Sequence, residues 1–189
     1  MSSLIKSSAP VTPSQNVSKA FATIMAHNYD FIVAWEDKAK NWEDIEGVHQ
    51  MRVAIRRLRS ALSLFRAAIP KEASKPWSDE MRWIVGELGL ARDLDVFIDE
   101  GLTHAAPHLP LPGAEGLDRV ARLRRARAYQ EQVEPMLESK RYRHFKEGFH
   151  DWYSHRRWEG TGEKQRKPRD LQDSKLVPFA RALLDKQER

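Results

Sequence analysis

Apolar residues recur at helical spacing along most of the chain. In the first long segment they follow one another at steps of three, four and eight, along one side of a helix: Val17, Phe21, Ile24, Ile32 and Trp35. No segment alternates apolar and polar residues over a useful strand length. The predicted helices cover residues 14–41, 48–68, 78–100, 117–134, 139–158 and 175–186. This pattern predicts an all-α fold, an antiparallel helical bundle of about five to six helices.

Single residues predict where several of these helices begin and end. Ser14 and Ser139 are predicted N-caps. Gly47 is predicted to precede the second helix, and Pro70 to end it. Pro135 is predicted to end or kink the fourth helix, because proline lacks an N–H and its ring clashes with the preceding turn.

The length of 189 residues suits one compact domain that needs no disulfide or metal to hold it together. Residues 1–13 are rich in serine and proline and are predicted to form a disordered tail. The helical domain is predicted over residues 14–189. Within it, residues 104–116 are predicted to form a loop and residues 159–173 a charged linker.

Composition excludes several classes of protein. The chain has no cysteine, which rules out a disulfide scaffold, a thiol nucleophile and a cysteine metal site. This fits a reducing compartment, and we expect a cytoplasmic protein. No apolar run approaches the roughly 18 residues that a membrane span needs. The net charge of +5 permits an anionic partner without identifying one, so the distribution of the charges matters more than their sum.

The second predicted helix carries a basic stripe, which we define as His49, Arg52, Arg56 and Arg59. At about 100° per residue, these four side chains fall within an arc of roughly 80°. Arg66 lies just outside the arc, and Arg57 points elsewhere. The neighbouring arc is apolar and is predicted to face the core; it contains Met51, Ile55, Leu58, Leu62, Phe65 and Ile69.

No acidic residue lies between Glu46 and Glu72 to neutralise this stripe. Solvated helices usually mix the signs of their charges, and the planar fork of arginine matches phosphate oxygens bidentately. A row of such forks suits a linear polyanion. The alternative is an ordinary solvated basic face, with His49 as a packing or capping residue.

A second motif runs from Leu88 to Val96 and contains Gly89, Asp93 and Asp95. A glycine inside a helix costs up to about 1 kcal/mol relative to alanine, which close approach of a backbone or ligand would offset. The two aspartates are either a catalytic carboxylate pair or, as we prefer, ion-pair partners that orient arginines of the neighbouring helix.

Other arginines extend the candidate surface. Arg122 and Arg125 are three residues apart on the fourth helix and are predicted either to face one anion or to belong to a mixed solvated face. Arg82 and Arg92 of the third helix lie about 80° apart and are predicted to join either arrangement.

Catalytic and metal chemistry have weak support. His104 and His108 are separated by Pro107 in a predicted loop, so the helical spacing of zinc ligands does not apply. No nucleophile has an evident adjacent base. The aromatic residues of the fifth helix, Phe145, Phe149 and Trp152, are predicted to pack in the core. We therefore expect no metal, no cofactor and no enzymatic activity.

The two motifs together resemble the CHAD domain, the conserved histidine α-helical domain. The resemblance rests on His49-Gln-Met-Arg52-Val-Ala-Ile-Arg56-Arg57-Leu-Arg59, then Leu88-Gly-Leu-Ala-Arg92-Asp93-Leu-Asp95-Val96, and a helix that opens at Ser139. It covers roughly residues 16–186. It implies an all-helical domain that binds inorganic polyphosphate through a basic surface. His49, Arg52, Arg56, Arg57 and Arg59 match the first motif, and Arg92 and Asp93 match the second.

CHAD domains are built from two similar helical halves, each with its own basic motif, whereas this sequence contains one copy. We therefore expect it to correspond to the N-terminal half, as a fragment or as a short natural variant. The half is expected either to present an open basic face or to rebuild a two-sided site as a homodimer. Association with polyphosphate granules is left open. Two other hypotheses are a helical nucleic-acid-binding protein and a structural module that docks an acidic partner.

Overall fold

The computed structural model describes residues 8–105, 113–159 and 166–187, and this part of the chain is helical without a named strand. The predicted all-α fold is confirmed. One isolated β-bridge joins Asn16 to Lys175. The helices are α1 Val17–Lys40, α2 Ile45–Leu64, α3 Lys71–Glu87, α4 Gly89–Val96, α5 Thr103–Ala105, α6 Ala114–Ala128, α7 Glu134–Glu138, α8 Lys140–Ser154, α9 Arg166–Asp173 and α10 Leu176–Gln187.

The antiparallel pair α1 and α2 forms the centre of the fold. Gly47 is not a break before α2 but lies inside it, against the backbone of Lys38 and Ala39. A Cβ atom at position 47 would lie 2.3 Å from the carbonyl carbon of Lys38, so only glycine permits this approach. The prediction that Gly47 precedes the second helix is wrong. This glycine lies inside α2, where it allows α2 to contact the backbone of α1.

The core lies where the apolar periodicity placed it. The predicted apolar arc of α2 and the turn after it is buried, with Met51, Ile55 and Leu58 each 0% exposed. The aromatic residues of α8 are also buried, as predicted. Phe21 of α1 meets the ring of Trp152 at a centroid distance of 5.9 Å, edge to face. Helix α8 therefore packs on α1 through aromatic contacts.

Several predicted helix boundaries are wrong by a few residues. Asn16, not Ser14, caps α1, and its side chain accepts a hydrogen bond from the Lys19 N–H at 2.8 Å. Helix α2 ends at Leu64, and Pro70 is the N-cap of α3. Helix α3 thus begins seven residues earlier than position 78. Proline at position 76 is accommodated inside α3.

Two wide, π-type turns interrupt the helices that follow α3. One spans Phe97–Leu102 after α4, and the other spans Tyr129–Val133 between α6 and α7. Pro135 sits in the first turn of α7, directly after the second wide turn. Proline has no N–H to donate to a carbonyl of the preceding turn. The helix therefore forms a wider, π-type turn at this point instead of ending, and the chain remains helical until Glu138.

The C-terminal elements fasten the bundle. The Ser139 side chain caps α8, as predicted, by accepting a hydrogen bond from the Tyr142 N–H at 3.0 Å. Trp158 is buried after α8, and its indole N–H donates to the Ser18 hydroxyl at 2.9 Å. The linker predicted over residues 159–173 is partly helical, since it contains α9. Residues 1–7 of the predicted tail and 106–112 of the predicted loop lie outside the described residues.

Among the described helices, none has both the length and the hydrophobicity that crossing a membrane requires.

Candidate polyanion-binding site

Helix α3 runs antiparallel to α2 and creates a groove beside the basic stripe. At one end of the contact, the Arg52 guanidinium donates to the main-chain carbonyl of Val85, with Nη1 2.8 Å from the oxygen. Toward the other end, an open groove of about 650 Å³ lies between α2 and α3. We call this the α2–α3 groove.

The α2–α3 groove is lined by five cationic side chains and one carboxylate. The floor is the buried side chain of Leu62, and four serine hydroxyls lie between the charges. The cations are Arg56 and Arg59 of α2 with Lys71, Lys75 and Arg82 of α3. The cationic residues of α3 extend over roughly 16 Å at the rise of a helix. The groove therefore presents positive charge from both walls along an extended path.

Asp79 is the acidic residue in this lining. Its two oxygens accept from Lys75 Nζ at 2.6 Å and from Arg82 Nη1 at 2.9 Å. The hydrogen bond from Lys75, followed by the charge of Lys75 and Arg82, holds the pKa of Asp79 below its usual range. The carboxylate is therefore ionised at neutral pH and partly neutralises the α3 wall.

Arg52 differs from the other two arginines of the basic stripe, Arg56 and Arg59, because it is half-buried and they are exposed. Burial lowers its pKa, the charge of Asp93 acts in the opposite direction, and the neighbouring cations Arg92 and Arg56 lower it further. A Cβ at Gly89 would lie 4.0 Å from Arg52 Nη1, with nothing nearer. Gly89 is the first residue of α4 rather than a residue inside a helix, and among the described residues no backbone approaches it closely enough to require glycine.

The remaining predicted residues on α2 are divided between two flanks. His49 is half-buried near the start of the helix. Arg57 leans toward α1, with its guanidinium 6.0 Å from the centre of the Phe31 ring. Arg66 follows the end of α2 and lines a second groove on the opposite flank from α3, together with Arg57. The α2–α3 groove thus contains Arg56 and Arg59 but neither Arg57 nor Arg66.

The predicted pairing of Arg122 and Arg125 on one anion is not what the structure shows. Arg125 is buried, 3.9 Å from the Asp95 carboxylate and 5.3 Å from the centre of the Trp42 ring. Arg122 is about half exposed and pairs with Asp118 at 2.7 Å. Position 125 faces the core because α6 packs on α4 through this side. Neither arginine lines the α2–α3 groove.

Asp95 is the buried acid of this second cluster. It accepts a hydrogen bond from the Tyr129 hydroxyl at 2.9 Å, and burial raises its pKa to about 6 despite that bond and the charges of Arg125 and Arg92. Asp95 therefore lies within ion-pair distance of an arginine of a neighbouring helix, but that helix is α6 rather than α2. Asp93 is exposed and affects Arg52 only through its charge.

Sequence reasoning missed Lys71 and Lys75. Both were assigned to the connection before the third helix, because its start was predicted at residue 78. The spacing Lys71, Lys75, Arg82 was visible in the sequence and places three cations on one side of a helix that begins after Pro70. Pro70, read as the residue that begins a helix, could have identified the α3 side of the groove.

Within the described ranges, no group of three or more His, Asp or Glu side chains is arranged to hold a metal ion. The His104 ring donates a hydrogen bond to the main-chain carbonyl of Asp99, with 2.9 Å between Nδ1 and the oxygen. His108, its predicted neighbour, lies outside the described residues.

The family model of the CHAD domain matches residues 23–189 of the chain. The chain belongs to the CHAD family. A crystal structure of the CHAD domain from the plant Ricinus communis is similar, with a TM-score of 0.71 and 28% sequence identity. The match covers 96% of this chain and 56% of the plant chain, so the CHAD chain described above spans little more than half of that relative. No curated protein sequence matches the CHAD chain described above.

Proposed function

We propose that this CHAD chain binds inorganic polyphosphate in the α2–α3 groove and catalyses no reaction on it. The observation that carries the proposal is the two-walled cationic lining, with Arg56 and Arg59 opposite Lys71, Lys75 and Arg82. Bidentate arginine contacts and release of counterions supply the affinity.

The shape and chemistry of the groove favour an extended, purely hydrophilic anion. The groove is open, and the hydroxyls of Ser60, Ser63 and Ser78 between the cations are able to donate hydrogen bonds to phosphate oxygens. Among the described lining residues there is no aromatic side chain, and so none provides the stacking platform with which proteins commonly hold single-stranded nucleic acid. This supports polyphosphate over the nucleic-acid hypothesis.

Titration of fluorescent long-chain polyphosphate at several salt concentrations tests the proposal. We expect strong binding that weakens steeply with salt. In the variant Arg56→Ala/Arg59→Ala/Lys75→Ala, the affinity should fall by more than about tenfold, and the salt slope should decrease by about three.

A matched control is Arg119→Ala/Arg124→Ala/Arg127→Ala on α6, which removes the same net charge from exposed positions outside the groove. It should bind nearly as well as the unmodified chain. Equal losses in both triple variants would contradict the groove as the site. RNA that displaces polyphosphate at equal phosphate concentration would favour the nucleic-acid hypothesis instead.

Two further expectations belong to this proposal. A homodimer would place two grooves across a two-fold axis and lengthen the binding path. If the protein is cytoplasmic, we expect it to associate with polyphosphate granules. Imaging a fluorescent fusion of the unmodified chain and the same fusion of the triple groove variant tests this expectation.

A further inference from the structure

The flank of α2 opposite α3 carries a second groove, which we call the α1–α2–α10 groove. It has a volume of about 840 Å³ and is lined by Ile24 of α1, by Leu64 and Phe65 at the end of α2, and by Leu183 of α10. Leu64 is 44% exposed, whereas Phe65 is 3% exposed and forms the floor. A large apolar side chain thus remains open to solvent at the mouth.

The rim of this groove is cationic. Arg56, Arg57 and Arg66 line it, and no carboxylate is among the described lining residues. Arg57 is half-buried, and the other two arginines are exposed. Among the described lining residues, the α1–α2–α10 groove therefore combines a larger apolar surface with cations that no lining carboxylate opposes, whereas the α2–α3 groove includes Asp79 among its cations.

From this chemistry, we propose that the α1–α2–α10 groove docks an acidic amphipathic helix of a partner protein. Such a helix buries its apolar stripe against Leu64, Phe65 and Leu183 and places carboxylates opposite the three arginines. Polyphosphate has no apolar surface with which to use this floor. A second copy docked through the same face would set Arg56, Arg57 and Arg66 against themselves, and like charges across an interface are unfavourable.

The two grooves share a ridge of α2. Arg56, Ser60 and Ser63 line both of them. Since one guanidinium serves both sites, the acidic helix and polyphosphate compete for it. The inference goes beyond polyphosphate binding and predicts that the two ligands weaken each other's binding.

The experiment titrates the full chain with a fluorescent synthetic helix of Glu, Ala and Leu, with leucines at helical spacing on one face. Leu64→Ser should weaken peptide binding by about tenfold, as expected for loss of an apolar anchor. The same variant should leave polyphosphate affinity within about twofold, because Leu64 does not line the α2–α3 groove. Leu64 is partly exposed, so this variant should fold, which circular dichroism checks.

Opposite and neutral controls complete the design. Lys75→Ala should weaken polyphosphate binding and spare the peptide, and Arg56→Ala should weaken both. Leu123→Ser, at a side chain 60% exposed on α6, should change neither. A peptide with lysine in place of glutamate, or with its leucines scrambled, should not bind.

Failure of the docking proposal is distinguishable from failure of the polyphosphate proposal. Equal binding of the scrambled peptide, or full peptide binding by Leu64→Ser, would overturn docking while leaving the polyphosphate results intact. Light scattering that shows a dimer in the unmodified chain and a monomer in Leu64→Ser would assign the groove to a second copy instead. Peptide binding without any polyphosphate binding would sustain docking alone.

Discussion

The Arg52 guanidinium reaches across from α2 and donates a hydrogen bond to the Val85 carbonyl in the last turn of α3, at 2.8 Å. One member of the basic stripe therefore ties the two walls of the α2–α3 groove together. Arg59, two turns further along α2, is exposed and lines the groove itself. The two arginines look equivalent in the sequence, but their surroundings give them different roles.

Arg52→Ala is expected to lower both the stability and the polyphosphate affinity of the chain. Loss of a charged donor to a helix-end carbonyl should reduce the free energy of unfolding by about 1–2 kcal/mol. Arg59→Ala should reduce affinity with little effect on unfolding, because its side chain is exposed. Urea unfolding and polyphosphate titration of both variants measure the difference. Equal unfolding curves would refute the role assigned to Arg52.

Removing the carboxylate of the groove should strengthen binding. Asp79→Asn releases Lys75 and Arg82 from their pairing and should raise polyphosphate affinity by about three- to fivefold at low salt. The gain should shrink as salt screens these exposed charges. Asp118→Asn is the matched control, because Asp118 pairs with Arg122 on α6, outside the groove. A similar gain in the control would show that net charge alone governs affinity.

Substitution of Arg125 should lower the stability of the fold, whereas substitution of Arg122 should not. Arg125→Ala removes the stronger of the two cationic charges that act on the buried Asp95 carboxylate and should cost on the order of 3 kcal/mol in the free energy of unfolding. Arg122→Ala removes an exposed ion pair and should change stability little. Chemical denaturation of both variants tests this. A groove role for Arg125 would instead appear as lost polyphosphate affinity at unchanged stability.

The buried carboxylate of Asp95 should also make stability depend on pH. Its pKa is raised to about 6 in the folded chain, while an unfolded chain holds aspartate near about 3.9. Between these values the folded state binds more protons, so this contribution to stability is present at low pH and is lost as pH rises toward 6.

Asp95→Asn removes that titration. The stability of the unmodified chain minus that of the variant should therefore fall between about pH 4 and pH 6 and level off above it. The difference isolates Asp95 from surface acids such as Asp79, whose lowered pKa gives the opposite slope. A difference that stays constant over this range would refute the assignment.

The helical class and the core face of α2 could be predicted because both follow from the local repeat. Met51, Ile55 and Leu58 recur at helical spacing, and burying that face is favourable against any apolar neighbour. The end of α2 and the start of α3 were misplaced because Pro70 reads equally as a stop signal and as the cap of the next helix.

The candidate site was only partly predictable. The arc that holds Arg56 and Arg59 follows from their spacing along one helix. The opposite wall, with Lys71 and Lys75, depends on which flank of α2 is covered by α3. Arg125 was placed on the surface because nothing in its neighbouring sequence shows that Asp95, thirty residues away, is buried beside it.

The sequence by itself determined that this chain is helical and that α2 has one apolar and one basic side. These features depend on spacing within a helix, which is set by the backbone repeat alone. Only the tertiary structure decided that Arg52 is tied to α3, that Asp79 lies inside the groove and that Arg125 is buried. Those outcomes depend on how closely and on which side helices approach, as at Gly47, where the absence of one Cβ atom allows α1 and α2 to touch.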